Sequence, residues 1–174
     1  PSGLPTSFTT ATVLIALHEA SERFDITLKS APIQKSIRQI LRQRTPDGAF
    51  VYSESHRWWP RYRINRPAGS LARSQVCHVA LSYFGEQKYA PQELIDSWLD
   101  RMWARIGWLD IARKRPVPHE SWAANSGYFF FYGTHYAAMA IQRLEDKERQ
   151  KHHSGHLTRI LVDLQEKNGC WWDY

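Results

Sequence analysis

Between residues 120 and 138 the chain reads ESWAANSGYFFFYGTHYAA. This stretch gathers Asn125, Tyr128, Tyr132, His135 and Tyr136 at the start of an apolar helical run. An imidazole beside a phenol is a usable acid/base pair near neutral pH. His135, Tyr136 and Asn125 are therefore candidate catalytic residues, with Tyr128 and Tyr132 as candidate ligand contacts. The competing reading is that these rings only fill a core. A second stretch, HRWWPRYRINR at 56–66, interleaves Arg57, Arg61, Arg63 and Arg66 with Trp58, Trp59 and Tyr62. Guanidiniums beside aromatic faces can hold a diphosphate, a sugar acid or single-stranded nucleic acid. Trp58, Trp59 and Arg61 are candidate ligand contacts on that ground. The alternative is a loop whose rings pack down while its guanidiniums stay wet. No nucleic-acid-binding motif accompanies it. His152, His153 and His156 form a small cluster that reads as the start of a surface helix rather than as a metal site. Arg113-Lys114-Arg115 reads as a solvated loop. The acidic residues Asp96, Asp100, Asp110 and Asp163 are isolated and form no run.

These residues need a frame to position them. A chain of 174 residues is one domain, or a piece of a larger one. Eight Trp give it large rings to fill a core or line a cavity. The net charge of +6 favours an anionic partner without naming one. Two cysteines make no disulfide framework and leave the redox compartment open. Cys77, inside an apolar helical run, is expected to be a small core residue. No apolar run approaches the ~20 residues of a membrane span. The chain opens on Pro1 with no basic-then-apolar leader, so its start is expected to have been processed or cut.

Two independent markers share one period. Glycines followed by aromatics stand at Gly48, Gly107 and Gly169, spaced 59 and 62 apart. Apolar, small-residue runs at 11–20, 74–84 and 135–144 align on Ala16, Ala80 and Ala140, spaced 64 and 60. Three units follow, roughly 1–60, 61–118 and 119–174. In each, a helix that is apolar or small nearly all round is expected to be buried on most sides. A second, amphipathic helix follows it, with stripes at Ile33, Ile37, Ile40 and Leu41; at Leu94, Trp98, Met102 and Ile106, backed by Ile95 and Leu99; and at Leu157, Ile160, Leu161 and Leu164. Pro32 and Pro91 suit first helical turns. The prediction is an all-α chain of six main helices in inner and outer layers, with loops at 21–30, 52–68, 109–126 and 145–154. GAFVYS, from Gly48, reads as a short extended piece without an obvious partner.

The phrases QRTPDGAF (43–50) and QEKNGCWWDY (165–174) resemble the Gln-to-Trp repeat of squalene and oxidosqualene cyclases, a repeat family that includes the protein prenyltransferase β-subunits. The inner-helix openings GLPTSFTTATVLIALHEA and YGTHYAAMAIQRL are similar to the small-residue inner helices of those toroids. The resemblance covers all three units. It implies an α/α-toroid segment in which Gly turns the chain and the aromatic plugs the gap between hairpins, while the Gln amide satisfies the turn. It implies an aromatic-lined cavity for an apolar or isoprenoid-type ligand. A closed toroid needs about six hairpins, so the chain is expected to be part of a longer protein or to associate with another copy. The family's acidic cyclisation motif has no match. The prenyltransferase branch holds zinc with an Asp-Gly-Cys turn and a His. Here Cys170 and His135 match by position type, Asn168 departs from the Asp, and Asp173 is a conceivable substitute. Polysaccharide lyases on similar toroids use Asn, His, Tyr and Arg, which suits His135, Tyr136 and Asn125 and a basic surface. A third reading is a non-catalytic helical-repeat binding module.

Overall fold

The computed structural model describes residues 4–115, 119–120 and 125–173; the side chains at 67, 68, 86, 119, 120 and 125 lie outside that description. The chain is all-α. Its helices are α1 (Ser7–Phe24), α2 (Ser30–Arg42), α3 (Pro67–Tyr89), α4 (Gln92–Ala104), α5 (Ile106–Asp110), α6 (Phe129–Gln142) and α7 (Lys147–Asp163). Short 3-10 helices cover Glu54–Trp58 and Arg63–Asn65. The strand pairing among the described residues is one antiparallel couple of two-residue strands, β1 (His119–Glu120) against β2 (Asn125–Ser126).

Helix α3 lies between α1 and α6, and α2, α4 and α7 each pack on the helix that precedes them in this inner row. The amphipathic stripes do what their spacing predicts. Ile33, Ile37 and Ile40 of α2 are buried, as are Ile95, Trp98, Leu99 and Met102 of α4 and Leu157 of α7. Residues 69–82 of α3 are buried on every side, and Cys77 among them is fully enclosed. Burial pushes the Cys77 thiol up to about 12, which keeps it protonated and unreactive.

Three expectations need correction. Helix α1 is buried on one face only: Ala11, Leu14 and Ile15 are enclosed, while Val13, Leu17 and Phe24 are exposed, because α2 and α3 cover it from one side. The 145–154 loop is the first half of α7. Asp146 caps that helix by accepting from the Glu148 and Arg149 backbone N–H groups at 2.9 and 3.1 Å. The basic run at 113–115 is not simply solvated. Arg113 pairs with Asp110 and lies over the Phe130 ring, and Lys114 pairs with Glu166 and lies 4.8 Å from the Trp172 ring centroid.

The duplicated phrase is one turn made twice. In the first copy the Thr45 N–H donates to Ala49 O and the Gly48 N–H to Thr45 O. In the second, the Glu166 N–H donates to Cys170 O and the Gly169 N–H to Glu166 O. Both glycines hold φ values of +84° and +83°, the left-handed region that a Cβ disfavours. Gly107 does not repeat the turn; it lies inside α5 without a positive φ. The Gln of the phrase serves the turn only in the second copy, where the Gln165 amide donates to Gly169 O at 3.0 Å. Gln43 is buried and donates back to Gln39 O.

The two copies differ in what grips them. The first is a peg held by α3 and α4. His78 lies 3.0 Å from Gly48 O, Trp98 Nε1–H donates to Asp47 O at 3.1 Å, and Arg101 pairs with the Asp47 carboxylate at 2.8 Å. Phe50 is fully buried, donating its N–H to Ser74 Oγ. The aromatics of the second copy, Trp171 and Trp172, remain exposed. A Cβ at Gly48 would stand 2.6 Å from Leu94 Cδ1 and 2.7 Å from Trp98 Nε1, whereas one at Gly169 meets only the Gln165 side chain at 3.9 Å. Gly48→Ala is therefore expected to cost about 2–4 kcal/mol in urea unfolding, and Gly169→Ala about 1–2. Equal costs would contradict the peg. His78 supplies a second prediction. Burial holds its pKa below the usual 6.5, at about 4. The unfolded chain takes up this proton near pH 6.5 and the folded chain only near 4. The contribution is thus fully present above pH 6.5 and lost as pH falls toward 4, by up to about 3 kcal/mol. His78→Gln, which keeps a donor for Gly48 O, is expected to flatten the stability–pH profile across that window.

Candidate functional site

The segment 53–66 is built from consecutive tight turns. Backbone N–H groups of His56, Trp59, Tyr62 and Asn65 each donate to the carbonyl three residues earlier, at 2.8–3.1 Å. Steps of three carry side chains onto a shared face. The base of the segment is tied down from three sides. Glu54 accepts from Arg42 at 2.6 Å and from Arg57 at 2.5 Å, and also from Gln39, which fixes it to α2. Glu54 N–H donates to Pro5 O at 3.1 Å, and Ser7 Oγ donates to Val51 O at 2.8 Å, which fixes it to the start of α1.

The third tie is Arg73 of α3. This side chain is fully buried. Its Nε–H donates to Phe50 O at 2.7 Å, its Nη2 to Ile64 O at 2.6 Å and to Asn65 Oδ1 at 3.1 Å, and its Nη1 to Gly69 O. Burial lowers its pKa to about 9, so it stays charged at neutral pH. Asn65 passes the hold onward: its Oδ1 also accepts from the Tyr52 N–H at 3.0 Å and its Nδ2 donates to Trp59 O at 3.2 Å. His56, 2.8 Å from Ser53 Oγ, lies half-buried beneath the segment, and burial lowers its pKa.

On this fixed base the rings stand outward. Trp58 is 76 % exposed, Trp59 66 % and Tyr62 59 %. The expectation that they pack down is overturned. A Trp needs roughly 200 Å² of cover, and a segment of one-turn helices held close to α2 and α3 at its base offers none above it. Arg61, Arg63 and Arg66 are exposed among them. Beside them lies an open cavity of about 260 Å³ lined by Arg42, Arg44, Arg57, Pro46 and Pro60 among others. Trp58, Trp59 and Arg61 are thus all exposed along one short segment.

The residues of the 128–136 segment meet α1 instead. Tyr132 OH lies 3.0 Å from Thr12 Oγ1, and Tyr136 OH donates to the same oxygen at 3.4 Å. Phe8 of α1 packs edge-on against Phe129 and Tyr132. Burial raises the Tyr132 phenol above its ordinary pKa. His135 is exposed, with its ring 4.9 Å from that of Tyr136. Tyr128 stands partly exposed at the N-cap of α6. Asn125 is placed only as a β2 residue; its side chain, and residues 121–124 beside it, lie outside the described residues. Cys170 is exposed, and its backbone N–H donates to Asn168 Oδ1 at 3.1 Å.

Among the described residues, the group of three side chains that could share a cation is Asp100, His152 and His153, with ligand atoms within 4.8 Å of one another. His135 and Cys170 do not belong to it. The acidic residues that look isolated in sequence, Asp96 and Asp100, lie one turn apart on α4 and face α7. His153 is fully buried, not on a surface helix start. Trp103 Nε1–H donates to its Nδ1 at 2.8 Å. An indole N–H can only donate, so Nδ1 is an acceptor and the proton sits on Nε2, which donates to Asp96 Oδ1 at 2.7 Å. Arg149 joins Asp96 at 2.8 Å and Asp100 Oδ2 at 2.5 Å. Although partial burial raises the Asp96 carboxyl, the hydrogen bonds from Arg149 and His153 outweigh it and hold the pKa below the ordinary value. The only sequence signal for this cluster is Asp-x3-Asp on one helix against Arg-x3-His on another, and neither points to the other without the helix pairing.

No helix among the described residues is long and apolar enough to cross a membrane. Comparison with protein-family models, with curated proteins and with solved structures finds no match for the chain.

Proposed function

We propose that the protein is a helical-repeat binding module, an arc of α/α hairpins of the terpenoid-cyclase and prenyltransferase kind, that holds an acidic polymer of ring units on the 57–66 loop. The observation that carries this reading is the exposure of Trp58, Trp59 and Tyr62 among arginines, on a base that the buried Arg73 holds by hydrogen bonds. Leaving three large rings wet forgoes several kcal/mol of burial, and a ligand face recovers it. The surface is open rather than enclosed. A small ligand gains few contacts there, while a chain of rings can stack on successive side chains and place its charges on Arg61 and Arg66. An acidic polysaccharide fits this chemistry and needs none of the motifs of nucleic-acid-binding folds.

The side-by-side order of α1, α3 and α6, each backed by the next helix in sequence, supports the hairpin-arc architecture. Support for turnover at His135, Tyr136 and Asn125, or for an isoprenoid cavity beside them, is weaker. The Tyr132 and Tyr136 hydroxyls are spent on Thr12, and their rings pack on one another and on α1. Titration of the protein with an oligouronate, read by tryptophan fluorescence, tests the proposal. Saturable quenching that weakens with salt is expected, with affinity reduced about tenfold or more in Trp59→Ala and Arg61→Ala at unchanged circular dichroism. Quenching by a single-stranded oligonucleotide or an isoprenoid diphosphate but not by the oligouronate would refute the ligand class. Saturation by none of the three would overturn the binding module itself.

A further inference from the structure

The seam between α4 and α7 has the construction of a metal site. A metal-ligating histidine normally presents one nitrogen to the ion and donates the other N–H to a carboxylate, which fixes its tautomer and raises its basicity. His153 already stands in that state. Its Nε2–H is given to Asp96, itself held by Arg149, and its Nδ1 carries a lone pair. Asp100 Oδ1 lies 3.9 Å from His153 Nδ1 and 4.0 Å from His152 Nε2. The other oxygen, Oδ2, is taken by Arg149, so Oδ1 is the one turned to both imidazoles. Asp96 and Asp100 against one Arg149 leave the seam with a net negative charge.

We propose that Asp100, His152 and His153 bind a divalent transition-metal cation at the α4–α7 seam. Two imidazoles and one carboxylate oxygen form a donor set that suits Zn²⁺ and leaves a fourth position to water. Ligand atoms sit about 2.0–2.2 Å from Zn²⁺ and so about 3.3–3.6 Å from one another, whereas these three lie up to 4.8 Å apart, so they must close by about half an ångström to somewhat more than one. His152 and Asp100 can supply that movement, since both are about half exposed. They also give the ion its path from solvent to the buried Nδ1 of His153. The group that holds the place is Trp103, whose indole N–H presents the positive end of a dipole to Nδ1. A cation must displace it. Hard cations such as Ca²⁺ prefer all-oxygen sites and are excluded by the two imidazoles.

Displacement gives the site a signature that a purely structural staple lacks. Equilibrium dialysis of the whole chain against Zn²⁺, in a Cys170→Ser background that removes the exposed thiol, is expected to load one equivalent; Ca²⁺ is expected to load none. His152→Ala and Asp100→Asn are each expected to weaken Zn²⁺ binding about tenfold or more. Trp103→Phe keeps an aromatic ring, though a smaller one, and drops the competing N–H, and is expected to tighten binding several-fold. Binding that His152→Ala and Asp100→Asn leave unchanged would overturn the site, as would no stoichiometric binding at millimolar Zn²⁺. Weaker binding in Trp103→Phe, at unchanged circular dichroism, would overturn the displacement geometry.

Discussion

A guanidinium enclosed by the protein and answered by oxygens that carry no charge sets the terms for this structure. Arg73 sits near the start of α3, the helix on which α1, α4 and α6 all pack, and its acceptors are three backbone carbonyls and one amide oxygen. Burying such a charge unanswered would cost many kcal/mol, so its acceptors must be present and in place. Three of them come from residues 50, 64 and 65, outside the long helices, and the fourth from Gly69 in the first turn of α3. One buried cation thus converts irregular chain into a fixed platform. Gly69 shows how close the fit is: a Cβ there would stand 2.0 Å from Ile64 O. The exposed rings of the loop are affordable to the fold only because their base does not move.

The same residues join one hairpin to the next. Arg73, Ser74, His78 and Trp98 all belong to the middle hairpin, and all take hold of the turn that ends the first. The local turn itself is encoded by Gly and by short polar side chains, which is why it forms identically at 45–49 and 166–170. Its burial is not local. Phe50 is enclosed because α3 and α4 lie over it, and Trp171 and Trp172 are half-exposed where no described helix does so. Between the middle and third hairpins α3 packs closely on α6, and the seam of α4 with α7 is polar, through Asp96, Asp100, Arg149 and His153, with Trp103 beside them.

What could be read from the sequence follows this division. Periodicity located the helices and the buried stripes of α2 and α4, because a one-face pattern depends only on the helix's own residues. The glycine-aromatic spacing located two turns of the same hand, and misassigned Gly107, where the glycine sits in a helix that the pattern alone does not reveal. Burial that depends on neighbours was not legible. Helix α1 looks enclosed in sequence and is half exposed. His153 looks like a surface residue and is enclosed. Trp58 and Trp59 read both as ligand contacts and as packing residues, and they are mostly exposed. Arg73, in an apolar run, carries no mark of its role, since its four acceptors are backbone groups and an asparagine that no spacing rule assigns to it.

Amide hydrogen exchange on the whole protein, wild type against Arg73→Lys, tests the central claim most directly. Lysine keeps the charge but cannot reach four acceptors with one ammonium. The account predicts a loss of protection at 50–66 that is much larger than any change in α2 or α7, with the loop's ligand response lost alongside it. Unchanged protection at 50–66, or an equal loss across every helix, would contradict it.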